Sequence, residues 1–133
     1  MKKIIITHLT EQIPNLEAIY IFGSQANQTA HAQSDVDIAF LSDTQLDTVK
    51  IWNIANELGL LLKRDIDLID LKESNTIFRV QILSTAQRIY CHNEAKVEAF
   101  ESLAYSFYVR FKEERRAIEE QIIRDKKVLP HVQ

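Results

Sequence analysis

Glycine and proline occur only twice each in this chain, and cysteine and tryptophan once each. So little glycine and proline leaves no room for a long flexible linker, and no repeat or low-complexity stretch is visible. The lone Cys91 excludes an intramolecular disulfide and fits a reducing, cytoplasmic setting. It reads as a small apolar residue at the end of a short strand. No run approaches the roughly 20 apolar residues of a membrane span. The start, Met1-Lys-Lys followed by Ile4, Ile5 and Ile6, lacks a signal peptide's apolar core. Basic residues number 16 against 19 acidic, a net charge of −3. That balance argues against a surface that holds nucleic acid stably. It leaves room for a nucleotide whose charge a metal neutralises.

What is present suffices for one domain. The 133 residues are 46% hydrophobic, enough to bury one core. Ile4, Ile5, Leu9 and Ile13 recur at helical spacing until Pro14 stops them. Leu16 to Phe22 is β-rich and runs straight into Gly23, as a buried strand would. Ser24 to about Ala30 fits a short helix, and Gln28 to Gln33 a polar loop. Asp35 to Leu41 alternates, with Val36, Ile38 and Phe40 on one face and Asp35, Asp37 and Ala39 on the other.

Ser42-Asp-Thr is a helix start signal, and Leu46, Val49, Ile54, Leu58 and Leu61 supply that helix's stripe. Gly59 interrupts it near its end. Asp65 to Leu71 reads as a third strand. Ser74-Asn-Thr opens a helix carrying Ile77, Val80, Ile82 and Leu83, and Arg88 to Cys91 a last short strand. From Asn93 to about Asp125 nothing breaks a helical pattern. Its first half carries an apolar face of Val97, Phe100, Ala104, Phe107 and Phe111, with Leu103 and Tyr108 beside it. The second half is highly charged, with Ile118, Ile122 and Ile123 left to bury; it projects as a solvated end or meets a partner. Trp52 and Phe78 sit at helical positions and are expected to pack. The expected fold is α/β, a small mixed sheet flanked by helices with a long C-terminal helix. It forms one domain over 1–133, with a core at about 1–91 and a helical extension at about 93–126.

Two features carry chemistry. Glycine after a strand admits a backbone conformation that other residues resist and a close approach by a ligand. A helix N-terminus beyond it offers free amides to a phosphate, and Ser24 adds a hydroxyl donor. The carboxylates come next. Asp35 and Asp37, two apart on a strand, share a face and repel unless a cation lies between them. Magnesium prefers such hard oxygen ligands and keeps its bonds to substrate phosphates. A third carboxylate in the later strand, over Asp65-Ile-Asp-Leu-Ile-Asp70, would let the site hold two magnesium ions. Asp67 is preferred because Ile66 and Leu68 flank it inside the strand. Asp65 shares its face one pleat period away, so both assignments stay open. Asp67 is also placed to act as general base on an attacking hydroxyl. His8, His31, His92 and His131 are scattered without zinc-type spacing. Lys112-Glu-Glu-Arg-Arg116 reads as a salt-bridged helix surface. A domain this small has little room for a separate substrate-binding domain, so a macromolecular acceptor with its own binding surface is expected.

With Phe22-Gly23-Ser24, a ten-residue spacer, Ser34-Asp35-Val36-Asp37 and then Asp65 to Asp70, the chain resembles the minimal nucleotidyltransferases of the DNA polymerase β superfamily. The likeness runs over roughly Ile13 to Tyr90. Within that superfamily the chain looks most similar to the MntA-like antitoxins, which work opposite a HEPN-domain ribonuclease toxin. Its long charged helix is similar to their C-terminal extension. The resemblance implies magnesium-dependent transfer of AMP from ATP to a tyrosine of the toxin, once or several times, which silences it. It implies that Gly23 and Ser24 hold the ATP phosphates and that Asp35 and Asp37 bind both metals. Asp67 would bind the catalytic metal and serve as base. The toxin would be met partly through the C-terminal helix, with neither a membrane nor a stable nucleic acid as partner.

Two other readings compete. One is the same chemistry on a small molecule such as an aminoglycoside; the other is an antitoxin acting by binding alone. The chain departs from the family in one respect. Many relatives place an arginine soon after Gly-Ser, where Gln25-Ala-Asn-Gln28 has no positive charge, which leaves Arg64 and Arg88 as candidate substitutes.

Overall fold

The computed structural model describes residues 1–23 and 35–128. The expected helix at Ser24 to Ala30 and the loop at Gln28 to Gln33 lie outside the described residues. Helix α1 (Lys2–Gln12) leads into strand β1 (Leu16–Phe22). Strand β2 (Val36–Ser42), helix α2 (Thr48–Leu62) and strand β3 (Ile66–Asp70) follow. A 3-10 turn (Leu71–Glu73), helix α3 (Thr76–Thr85), strand β4 (Gln87–Cys91) and helix α4 (Glu94–Val128) complete the chain. The strands form one four-stranded sheet in the order β3-β2-β1-β4. β1 is antiparallel to both β2 and β4, whereas β2 and β3 run parallel. Parallel neighbours need a crossover, and α2 supplies it.

Alternation in the strands sorts the core into two layers. Leu16, Ile19 and Ile21 of β1 and Val36, Ile38 and Phe40 of β2 pack with Ile5, Leu9 and Ile13 and with Ile54 and Leu58 of α2. Ala18 and Tyr20 of β1 and Ala39 and Leu41 of β2 pack on the other face with Leu71, Ile82 of α3 and Val97 of α4. The sheet is thus buried on both faces, and β1 is apolar along nearly its whole length.

The helix starts are set by side-chain caps. Asp47 accepts the Lys50 N–H at 2.8 Å, and Asn75 accepts the Phe78 N–H at 2.8 Å. Helix α2 therefore begins later than Ser42-Asp-Thr suggests. The Ser42 hydroxyl instead donates to the Pro14 carbonyl at 2.7 Å and accepts the Thr44 N–H, which caps a turn. The buried stripe of α2 shifts with it. Ile54 and Leu58 are buried and Ile51, Ala55 and Leu62 pack beside them, while Val49 and Leu61 face solvent. Trp52 lies outside the core as well, 66% exposed. Leu46 is buried, but in the segment before the helix.

Helix α4 is anchored only at its start. Val97 and Ala104 are buried and Phe100 is half-buried, whereas Leu103, Phe107 and Phe111 are largely open. Beyond them Ile118, Ile122 and Ile123 are exposed. A polar tether reinforces the anchor. The Tyr20 hydroxyl, on a residue 2% exposed, donates to Glu101 Oε1 at 2.8 Å. Burial above all, then the Glu101 carboxylate, holds the Tyr20 phenol far above its ordinary pKa, so it remains a donor. Arg88 of β4 lies 3.5 Å from Glu101 and 3.1 Å from Glu94. Replacing Tyr20→Phe removes the one neutral donor to Glu101 without altering shape. It should cost about 1 kcal/mol of stability, read as a lower urea midpoint with an unchanged slope.

Candidate active site

The site forms where β1 ends and β2 and β3 begin. In the parallel pair, the Val36 N–H donates to the Asp65 carbonyl at 2.9 Å. That bond sets a register in which Val36 faces Ile66 and Asp37 faces Asp67. Asp37 and Asp67 are therefore neighbours across the strands, while Asp65 precedes β3 and spends its carbonyl on the ladder. Val36 and Ile38 belong to the α1–α2 layer, so Asp37 projects on the opposite face, with α3 and α4. Asp35 lies exposed just before β2.

Gly23 closes the site from the other side. Phe22 is the strand partner of Asp37, and Gly23 follows it with φ of +70°, a left-handed conformation that favours glycine. A Cβ on Gly23 would overlap the Asp37 carboxylate and stand 3.2 Å from its Cγ. This position thus favours glycine through its backbone, and a side chain there would have to push the Asp37 carboxylate aside. Ser24, the other expected phosphate contact, lies outside the described residues. Beside Gly23, Phe22 meets the Phe78 ring of α3 edge-on, with centroids 6.4 Å apart. Helical spacing predicts only packing for Phe78, since it does not tell which strand end the ring reaches.

The electrostatics suit a cation. The Asp37 carboxyl is pushed above the ordinary aspartate range, first by burial and then by the charges of Asp67 and Asp35. No ion pair among the described residues involves Asp35, Asp37 or Asp67. Neither suggested arginine offsets their charge. Arg88 sits on β4, beyond β1 from the carboxylates, and pairs with Glu94 and Glu101. An Arg64 Nη lies 3.7 Å from the Met1 sulfur. Among the described residues, no three His, Cys, Asp or Glu side chains form a ready metal cluster. Magnesium does not need one, since it is held by one or two carboxylates and completes its shell with water and substrate phosphates. The adjacent, mutually repelling oxygens of Asp37 and Asp67, with Asp35 beyond, fit that ion.

Comparison with known proteins agrees with the geometry. Residues 3–95 match the family described as polymerase beta, nucleotidyltransferase. Over 119 residues the chain is 34% identical to the protein adenylyltransferase MntA of Shewanella oneidensis, covering 90% of this chain and 85% of that protein. Among solved structures, it is similar to a chain in the crystal structure of a toxin–antitoxin with AMP-PNP. The identity is 33% and the TM-score 0.81, covering 92% of this chain and 98% of the other. It is also similar to a chain in a complex of a tri-AMPylated Shewanella oneidensis HEPN toxin with its MNT antitoxin. There the identity is 30% and the TM-score 0.76, covering 92% and 95%.

Two outcomes test the site's construction. The Gly23→Ala chain should lose about 1–2 kcal/mol or more through left-handed strain alone, and the added methyl should displace Asp37, so denaturation and activity fall together. For Asp37, a folded pKa raised above the usual 3.8 means that ionisation works against folding. In metal-free buffer its stabilising contribution is complete below that value and is lost as pH rises through the raised one. Asp37→Asn should therefore melt higher than the parent at neutral pH without metal. The gain should vanish in acid and shrink when magnesium is added.

Proposed function

The chain belongs to the polymerase beta nucleotidyltransferase family, and we propose that it is an antitoxin that transfers AMP from ATP to a tyrosine of a cognate HEPN-domain ribonuclease toxin, silencing it. The observation that carries this reading is the Asp37–Asp67 register pair with Gly23 pressed against Asp37. A mere binding protein has no need of repelling carboxylates and a left-handed glycine at one strand end. The named similarity to MntA and to toxin–antitoxin complexes supplies the acceptor class.

Asp35 and Asp37 would hold two magnesium ions, and Asp67 would complete the site of the catalytic one. Magnesium bound there supplies charge neutralisation for the triphosphate and the leaving pyrophosphate. Gly23, through its backbone, and Ser24, through its hydroxyl, hold the phosphates. The tyrosine oxygen attacks the α-phosphorus and the bond to the β-phosphate oxygen breaks, so pyrophosphate leaves. The phenolic proton passes to the Asp67 carboxylate, acting as general base. Chemistry of this kind is positioning and electrostatics, which a small rigid sheet provides. The whole chain acts as one nucleotidyltransferase domain, with α4 as its partner-facing extension. Among the described residues no helix is long and apolar enough to cross a membrane. We place the protein in the cytoplasm, where ATP and a ribonuclease toxin meet.

The test is intact mass spectrometry of both proteins after incubation with ATP and magnesium. The toxin should gain one AMP mass or multiples of it and lose ribonuclease activity. Asp67→Asn should slow transfer by about 10²–10⁴-fold, the usual contribution of a general base. Asp35→Asn should leave the toxin unmodified and active. Neutralisation that survives Asp35→Asn without mass gain would instead mean inhibition by contact.

A further inference from the structure

Two clefts meet over the first turn of α3. One, of about 520 Å³, lies between α3 and α4 and is lined by Asn75, Ile77, Phe78, Gln81 and Phe111. The other, of about 340 Å³, continues along α4 past Tyr108, Lys112, Arg115 and Arg116. Ile77 and Phe111 line both, so the two make one groove. Its inner end is lined by Phe78, whose ring packs edge-on against Phe22, the strand partner of Asp37. Its floor is apolar and uncovered: Ile77 is 37% and Phe111 39% exposed.

The outer end is basic, against the trend of a chain with net charge −3. Arg115 is occupied by Glu119 at 3.2 Å. Lys112 and Arg116 take part in no ion pair among the described residues. An apolar floor leading to unpaired cations complements a peptide carrying apolar side chains followed by carboxylates. A single-stranded nucleic acid fits less well. Its phosphates would carry negative charge along the apolar floor of Ile77 and Phe111 as well as to the cations, and the Tyr108 ring already carries the Lys112 ammonium 5.5 Å from its centroid.

We propose that this groove seats the segment of the protein substrate that bears the acceptor tyrosine. Apolar neighbours of that tyrosine sit on Ile77, Phe78 and Phe111, and acidic residues further along pair with Lys112 and Arg116. The inference rests on the adenylyltransferase reading of the carboxylate site. It adds to that reading an acceptor preference: acidic residues on the side of the tyrosine that lies along α4.

The test uses the full chain and two short labelled peptides, each with a central tyrosine and apolar neighbours. One carries a glutamate run, the other lysines in its place. Binding is read by fluorescence anisotropy with AMP-PNP and magnesium, and AMP transfer by mass. The parent should prefer the glutamate peptide by about tenfold or more at low salt, with the preference shrinking as salt screens it. The exposed double substitution Lys112→Glu with Arg116→Glu should reverse the preference and raise acceptor KM, leaving KM for ATP in place. Phe111→Ala should weaken both peptides. A charge-swapped chain with an unchanged preference overturns the groove, as does an oligonucleotide that outcompetes the glutamate peptide. Groove-dependent binding without AMP transfer to peptide or toxin would leave the groove standing and defeat the adenylyltransferase reading. Transfer that ignores the charge swap would do the reverse.

Discussion

Asp37 and Asp67 stand beside one another because two parallel strands share a register, and their like charges oppose folding until a cation joins them. The rest of the core works to keep that unfavourable pair in place. Parallel pairing of β2 and β3 requires a crossover, and α2 closes it by burying Ile54 and Leu58 beneath the sheet. β1 lies on the other side of β2 and brings its last residue, Phe22, opposite Asp37. The chain turns immediately at Gly23, where any side chain would strike the Asp37 carboxylate. A half-buried carboxylate with charged neighbours is a poor choice for stability alone. Its presence at a strand end lined by glycine is the mark of a site whose missing charge arrives with the substrate.

The two faces of the sheet divide the labour. The α1–α2 face is a closed apolar layer. The α3–α4 face is closed over Ala18, Tyr20, Ala39 and Leu41, and at the Asp37 end Phe78 covers Phe22 edge-on. Helix α4 repeats the division along its length. Its first turns are fixed by Val97, Ala104 and the Tyr20–Glu101 hydrogen bond, and its remainder leaves Phe107, Phe111 and three isoleucines exposed. Isolated helices hold poorly without a packed face, so the anchored start gives the free half its direction from the sheet.

Much of this was legible in the sequence, and the rest was not, for identifiable reasons. β1 could be read because a run buried on both faces is apolar along nearly its whole length. β2 could be read because its alternation separates Val36, Ile38 and Phe40 from the aspartates. The long helix followed from uninterrupted spacing. The phase of α2 did not. Leu46 is buried, yet it precedes the helix, so a stripe counted from it selects Val49 and Leu61 and misses Ile51. Two cap signals compete there, and the sequence alone cannot tell that Ser42 is engaged by Pro14 while Asp47 is free to cap. The choice between Asp65 and Asp67 was likewise open, because alternation places both on one face. Only the ladder bond from Val36 to the Asp65 carbonyl makes Asp67 the neighbour of Asp37. The departure at Gln25 to Gln28 also acquires a physical setting. With Arg88 held by Glu94 and Glu101, the described residues around the carboxylates carry negative charge without a paired cation.

That charge asymmetry constrains how such a site can choose its substrates. A net-negative centre repels an acidic acceptor at close range, a repulsion that bound magnesium would offset. Cations set at a distance from the carboxylates, on a helix that projects away, attract an acidic segment without quenching the aspartates themselves. Placed nearer, Lys112 and Arg116 would pair with Asp35 or Asp67 and compete with magnesium. The proposed groove would give the length of α4 beyond its anchor a physical purpose: to carry substrate selectivity away from a centre whose described residues are acidic.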